Sequence, residues 1–252
     1  MVSKNTIKFI KSLRLKKFRQ KYNKFIVEGD KMLREILLQD ELKIDSLFAV
    51  GSWIETNDTF FQLPVDKVFN ISLTELKQIS ALKTPNQVLA IIEIPPSTLC
   101  ERNLKNNINL YLDDIQDPGN LGTILRIADW FGIPQVICSK GTVDIYNEKV
   151  IQSTMGAFLR VKTPVLELEE LKNNFPAIPV YGALMDGENI FSTTFPKNGI
   201  LVIGNEGKGI SLDNQKLLTH KITIPKTDSS GAESLNAAVA TGIICSVWRS
   251  KM

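Results

Sequence analysis

The sequence predicts an α/β protein in two units, a small mixed one at the amino end and a larger one on a parallel sheet. Three observations carry this. The 252 residues exceed what one ordinary domain of roughly 100–200 residues needs. Strand-like runs alternate with amphipathic, helix-like runs along the chain, the pattern of strand–helix–strand units. Runs such as Gln87–Ile94 and Ile108–Asp113 are apolar without alternation, as in sheets covered on both faces.

Each element follows from local pattern. Across residues 3–22, Ile7, Ile10, Leu13 or Leu15, and Phe18 recur at helical spacing with basic residues between them. Lys24–Gly29 reads as a strand stopped by glycine, and Asp30–Leu38 as a helix with Met32, Leu33, Ile36 and Leu37 apolar. Ile44–Val50 is a second strand. Val68–Asn70 leads into Ser72-Leu-Thr-Glu75, where the Ser72 hydroxyl can accept from an orphan helix amide while Glu75 reaches back. Gln87–Ile94 closes the first unit, residues 1–95. Pro95-Pro96-Ser97-Thr98 and the polar run Glu101–Asn107 predict a linker over 96–107. The second unit, 108–252, is predicted as strand Ile108–Asp113, helix Gly122–Phe131, strand Gln135–Ile137 and helix Glu148–Gly156. Strand Val161–Val165, helix Leu168–Asn173, strands Val180–Leu184, Ile200–Ile203 and Lys221–Ile224, and a closing helix Ser234–Trp248 follow.

Composition narrows the function. Cys100, Cys138 and Cys245 form no CxxC pair, which argues against a zinc knuckle or a disulfide scaffold. A single histidine, His220, removes any chemistry needing several imidazole ligands. No metal is expected. The first twenty residues lack an apolar core of signal-peptide length, and no apolar run approaches the ~18 residues of a membrane span. A cytoplasmic protein without membrane partners is the expectation. The net charge of +3 conceals an asymmetry: residues 1–31 hold ten lysines and arginines against Glu28 and Asp30, leaving a net −5 for the rest. A basic arm on a mildly acidic body is the footprint of a polyanion binder, although lysines can also serve only to solubilise a helix face.

Two common phosphate motifs fail. Gly204-Asn-Glu-Gly207-Lys-Gly209 spaces its glycines as GxxGxG rather than GxGxxG. A P-loop would need a glycine where Val202 stands and Ser or Thr where Gly209 stands. Three other segments belong together. Asp117-Pro-Gly-Asn120-Leu-Gly122-Thr-Ile-Leu-Arg126 runs from a strand end through a predicted tight Asp-Pro-Gly turn into a helix, with Gly122 and Arg126 one turn apart on one face. Leu201-Val-Ile-Gly204-Asn205-Glu206-Gly207-Lys208-Gly209-Ile210 is a buried strand opening into a loop of little bulk. Ile222-Thr-Ile224-Pro225 is followed by Gly231-Ala-Glu233-Ser234-Leu235-Asn236 at a helix start, where Ser234 or Asn236 could cap.

Singly, each segment reads as turn chemistry. As a set, in this order and spacing, they closely resemble the signature motifs of the SpoU family of RNA ribose 2′-O-methyltransferases, of the SPOUT superfamily, over residues 108–252. Residues 1–95 are similar in organisation and basicity to the auxiliary RNA-binding domain of ribosomal-protein type that many members carry. The resemblance implies an S-adenosylmethionine-dependent homodimer whose carboxy-terminal domain is tied in a trefoil knot, which ordinary topology rules would refuse. It also implies a cofactor pocket from Leu184, Gly204, Asn205, Gly207, Gly209, Ile224, Pro225 and Leu235, with adenine against main-chain groups of Ile224 and Leu235. Asn120, Arg126, Glu206, Ser234 and Asn236 match its active-centre positions. The stretch Lys226–Glu233 is longer than in some members.

The chemistry such a site performs is alignment of a poor nucleophile, the ribose 2′-hydroxyl, with an electrophilic sulfonium methyl, and removal of one proton. A guanidinium stays protonated at ordinary pH, so Arg126 suits phosphate gripping and alkoxide stabilisation; an arginine base is the other reading the family offers. Ribosomal RNA is the expected substrate and transfer RNA the second. A non-catalytic RNA-binding or ribosome-assembly protein retaining the fold is the alternative, against which stands the presence of all five active-centre residues.

Overall fold

The computed structural model describes residues 2–39, 42–57, 64–227 and 229–252; Asp228, in the third segment, lies outside them. In chain order its elements are α1 (Lys4–Ser12), α2 (Lys16–Tyr22), β1 (Lys24–Glu28), α3 (Asp30–Leu38), β2 (Ile44–Ala49), α4 (Gly51–Asn57), β3 (Val68–Asn70), α5 (Leu73–Ile79) and β4 (Val88–Glu93). Then come α6 (Glu101–Asn106), β5 (Ile108–Asp113), α7 (Pro118–Trp130), β6 (Val136–Cys138), α8 (Glu148–Thr154) and α9 (Leu168–Asn174). The chain closes with β7 (Val180–Asn189), β8 (Gly199–Gly204), α10 (Leu212–Lys216), β9 (His220–Thr223) and α11 (Ala237–Ser250). They fall into two units, Met1–Pro96 with Tyr146–Gly156, and Ser97–Ile145 with Ala157–Met252.

In the first unit the sheet order is β1-β4-β2-β3. The apolar run of β4 is central and antiparallel to both β1 and β2, which explains why Val88–Ile92 is buried without alternation. The helix expected over 3–22 is two helices. Leu15 is extended (φ −97°, ψ 128°), which lets Leu13 turn inward while Leu15 stays 54% exposed. The capping box at Ser72 forms in both directions, at 3.2 Å and 2.9 Å. Segment 146–156 belongs to this unit: the Tyr146 ring packs on Phe25, at 4.6 Å between centroids, and Val150, Ile151 and Thr154 of α8 are buried. A single division near residue 95 is therefore incomplete, because local pattern cannot tell which core a short amphipathic helix covers.

The second unit is a five-stranded, wholly parallel sheet in the order β6-β5-β8-β7-β9. All six residues of β5 are buried. On one side Tyr111, Val180, Ile200 and Val202 pack with Leu104 of α6 and Leu168 and Leu171 of α9; α7 and α11 pack against each other elsewhere in the unit. The buried Leu168 amide donates to the Tyr111 hydroxyl at 3.1 Å.

Four local expectations are corrected. The polar stretch expected as linker contains α6, which buries Leu104. Asp-Pro-Gly is no separate turn but the start of α7: Asp117 accepts from the Asn120 amide at 2.8 Å, and Pro118 sits where its missing N–H costs nothing. Val161–Val165 forms only isolated bridges, Gln135 to Lys162 and Cys138 to Val165. The closing helix starts at Ala237, since Asn236 takes the cap by accepting from Ala238 and Val239, so Ser234 and Leu235 stay in the loop.

A fragment cut to residues 97–252 should expose the apolar side of α8, bind a hydrophobic dye strongly and aggregate. If it instead gives a dye-free, monodisperse protein, the packing of 146–156 into the first unit is unimportant.

Candidate active site

Strands β5 and β8 are neighbours and β9 lies on the far side of β7, so parallel pairing delivers their following loops to one end of the sheet. The loop after β8 is the most constrained. Asn205 and Gly209 exchange backbone hydrogen bonds of 3.0 Å and 2.9 Å, doubling the chain back on itself. A Cβ on Gly204 would stand 2.2 Å from the Gly209 carbonyl carbon and the Ile210 nitrogen, and Gly209 has φ +69°. Only glycine satisfies both positions without displacement. The Asn205 side chain ties this turn down, accepting from the amides of Gly207 and Lys208 and donating to the Asp114 carbonyl at 2.7 Å.

Glu206, on the same turn, gathers the first segment. Its carboxylate accepts from the backbone amides of Gln116 (3.2 Å) and Asp117 (3.1 Å) and from the Asn120 side chain (2.9 Å). The Asn120 side-chain oxygen accepts from the Asn236 amide group at 2.8 Å, and Asn236 caps α11. One relay, Glu206–Asn120–Asn236, thus joins all three segments. Partial burial pushes the Glu206 carboxyl upward, but the hydrogen bonds from Asn120 and from the backbone amides of Glu206, Gln116 and Asp117 outweigh it and hold the group below the ordinary carboxylate value. It stays ionised at neutral pH, an anchor and not a proton acceptor. Burial raises the thiols of Cys138 and Cys245, each to about 12, so neither offers a thiolate. Among the described residues no group of three His, Cys, Asp or Glu side chains could hold a metal.

Beside this relay lies a cavity of about 470 Å³. All eight residues expected to hold a cofactor line it: Leu184, Gly204, Asn205, Gly207, Gly209, Ile224, Pro225 and Leu235. Glu206 and Ser234 also reach it, whereas Asn120 and Asn236 belong to the relay and do not line it. Arg126 does not line it; on α7 it is exposed and, among the described residues, makes no hydrogen bond or ion pair. Sequence reasoning overlooked the amides of Gln116 and Asp117, although Pro118 after an aspartate was a signal for a helix start there. It also overlooked Met185 and Thr227, which line the cavity but stand in no recognisable pattern.

The sequence profile of the SpoU rRNA methylase family matches residues 107–246, and that of an MRM3-like substrate binding domain matches residues 4–90. The chain belongs to the SpoU family. It is 31% identical over 249 residues, covering 94% of this chain and 93% of the relative, to a Bacillus subtilis protein described as the 23S rRNA (guanosine(2553)-2′-O)-methyltransferase RlmP. Among solved structures, a TrmH-family protein from Porphyromonas gingivalis is 36% identical with a TM-score of 0.87, covering both chains completely. An rRNA methyltransferase from Sinorhizobium meliloti, solved with AdoMet bound, is 26% identical with a TM-score of 0.87, over 99% of this chain and 97% of that one.

Two measurements probe this geometry. Gly204→Ala should cost about 1–3 kcal/mol in urea unfolding, because the added Cβ meets backbone that cannot swing aside; an unchanged midpoint would show that the turn relaxes freely. In a double-mutant cycle, Glu206→Gln and Asn120→Ala should couple by roughly 0.5–3 kcal/mol. Because the folded Glu206 titrates below its unfolded value near 4.5, its contribution is present above that pH and fades as pH falls through the folded value. The stability gap between native protein and Glu206→Gln should close with it.

Proposed function

We propose that this chain transfers a methyl group from S-adenosylmethionine to a ribose 2′-hydroxyl of ribosomal RNA. The observation that carries the reading is the convergence of eight expected cofactor residues on one cavity, directly beside the relay that joins the three segments. The names of the Bacillus and Sinorhizobium relatives support both substrate and cofactor.

The cavity suits the cofactor. Its volume falls within the range of small-molecule sites. Leu184, Ile224 and Leu235 offer apolar surface, and the main-chain amides of Ile224 and Leu235 donate to no other group among the described residues, so they are free for a heteroaromatic ring. Gly207 and Gly209 leave open space where side chains would intrude. S-adenosylmethionine supplies an electrophilic sulfonium methyl when bound. Glu206, Asn120 and Asn236 hold the loops at fixed separation, which limits the motion lost on binding. The Ser234 hydroxyl, exposed in the third loop, is placed to hydrogen-bond a ribose. Arg126 stabilises a phosphate and the charge that develops on the 2′-oxygen, a role its uncommitted guanidinium suits better than proton abstraction.

The same reading includes a homodimer, a knotted carboxy-terminal domain and a cytoplasmic location. For the dimer, Thr123, Arg126, Ile127 and Trp130 form an incompletely buried stripe on α7 next to Val239 and Ile243 of α11, and Trp130 is 85% exposed. Trp130 with the partly exposed Ile127, Val239 and Ile243 makes an apolar patch of the kind that marks an interaction surface.

Calorimetry with S-adenosylmethionine and methyl transfer from labelled cofactor to ribosomal RNA from cells lacking the gene test the reading. No binding at millimolar cofactor would leave an RNA-binding protein that keeps the fold, and transfer only to transfer RNA would shift the substrate. Arg126→Ala should lower turnover by about 10²–10³ while cofactor affinity and fold survive; near-native turnover under saturating RNA would make Arg126 structural. Trp130→Glu should halve the mass seen by light scattering, and an unchanged dimer would place the interface elsewhere.

A further inference from the structure

The α1–α2 hairpin carries a feature that a solubilising basic face does not need. Three aromatic rings converge at its surface. The Tyr22 ring meets Phe9 edge-on, with centroids 5.1 Å apart at 77°, and lies nearly parallel to Phe18 at 6.2 Å and 12°. Tyr22 is 38% exposed, and Leu15, Phe18 and Tyr22 follow one side of α2 at i, i+3 and i+7. Lysines surround the rings: Lys17 Nζ lies 5.0 Å from the Phe18 centroid, Lys21 Nζ 5.3 Å from Tyr22 and Lys24 Nζ 5.9 Å from Phe9.

This positive charge is not spent within the unit. Lys24 pairs with Asp45, but among the described residues Lys17 and Lys21 pair with no carboxylate. The two acids of residues 1–31 are engaged elsewhere, Glu28 by Ser80 and Ala81, Asp30 by Arg34 and Trp53. The surface is also held in place. Buried Arg19 donates to the Leu13 and Arg14 carbonyls at 2.9 Å and 2.8 Å, fixing α2 against the preceding turn. Asn23, left-handed at φ 53°, ends α2 directly after Tyr22 and delivers the chain to β1.

We infer that this face binds unpaired nucleotides of RNA, with a base stacked on Tyr22 and the flanking phosphates held by Lys17 and Lys21. Stacking requires bases out of a duplex, and an aromatic surface interleaved with uncompensated lysines is complementary to a single strand on both counts. The inference rests on the reading of an RNA substrate and names how the first unit grips it.

Fluorescence anisotropy on the full-length protein tests it, with a short oligouridylate and an abasic ribose-phosphate strand of equal length. The native protein should bind the base-bearing strand about tenfold more tightly. Tyr22→Ala should abolish that preference and keep abasic binding and its salt dependence, while Tyr22→Phe retains the preference. Lys17→Gln with Lys21→Gln should weaken both strands and lower the salt slope by about 0.7 log units per lost contact. No preference in the native protein, or full preference in Tyr22→Ala, overturns the inference and leaves the RNA reading standing; equal loss of both strands in Tyr22→Ala makes the residue structural and overturns it too. Binding to phosphatidylglycerol vesicles that competes with the strand and is lost in Tyr22→Ala assigns the face to membranes instead. A native protein that binds neither strand overturns the inference, while methyl transfer to ribosomal RNA remains the separate test of the RNA reading.

Discussion

One carboxylate holds the candidate site together. Glu206 collects two backbone amides and one side-chain amide from the first segment while standing on the turn of the second, and through Asn120 it reaches the cap of the closing helix. Glycine-rich loops have little side-chain packing to restrain them, so their order must come from hydrogen bonds. An ionised acceptor makes stronger ones than a neutral group does, and its donors already lie at a helix start, where amides lack intrahelical partners.

That anchor works because the sheet brings the loops together first. Parallel pairing of β5, β8, β7 and β9 sets their carboxyl ends along one edge. Strands β5 and β8 are buried on both faces, so helices and loops, not alternating side chains, separate the site from the core there. Asp113, the last residue of β5, is buried and accepts from the Ser211 amide at 2.7 Å, a further tie between the strand end and the loop that follows β8. A rigid floor beneath glycine-bearing loops tied by hydrogen bonds is the arrangement in which a backbone can approach a ligand closely without losing its own hydrogen bonds.

The two units divide the physical work. Positive charge concentrates in the first, on a hairpin whose acids are occupied internally, and charge of that kind gives affinity that weakens with salt. The second unit has the cavity that the loops of the second and third segments line and, on α7, an exposed Arg126 side chain that makes no ion pair among the described residues. Segment 146–156 qualifies the division, because chain that lies between two stretches of the second unit completes the core of the first.

By itself the sequence determined the α/β class, most strands of both sheets, and the three segments whose order and spacing identified the family. Apolar runs, glycine spacing and a capping box are local signals, and local chemistry encodes them. The family resemblance that those segments carry also named eight residues that line the cavity, but not Met185 and Thr227, which line it too. Tertiary structure decided the rest. That Glu206 is an anchor follows from donors roughly 90 residues away in the chain, beyond the reach of any spacing rule. That Asp117 and Asn236 cap helices, so that α7 begins earlier and α11 later than the apolar pattern suggests, depends on where neighbouring loops leave the backbone. That α8 belongs to the first unit, and that Leu13 rather than Leu15 turns inward, depends on which core each apolar face meets. Periodicity states that a face must be buried, and only the assembled fold supplies the surface that buries it.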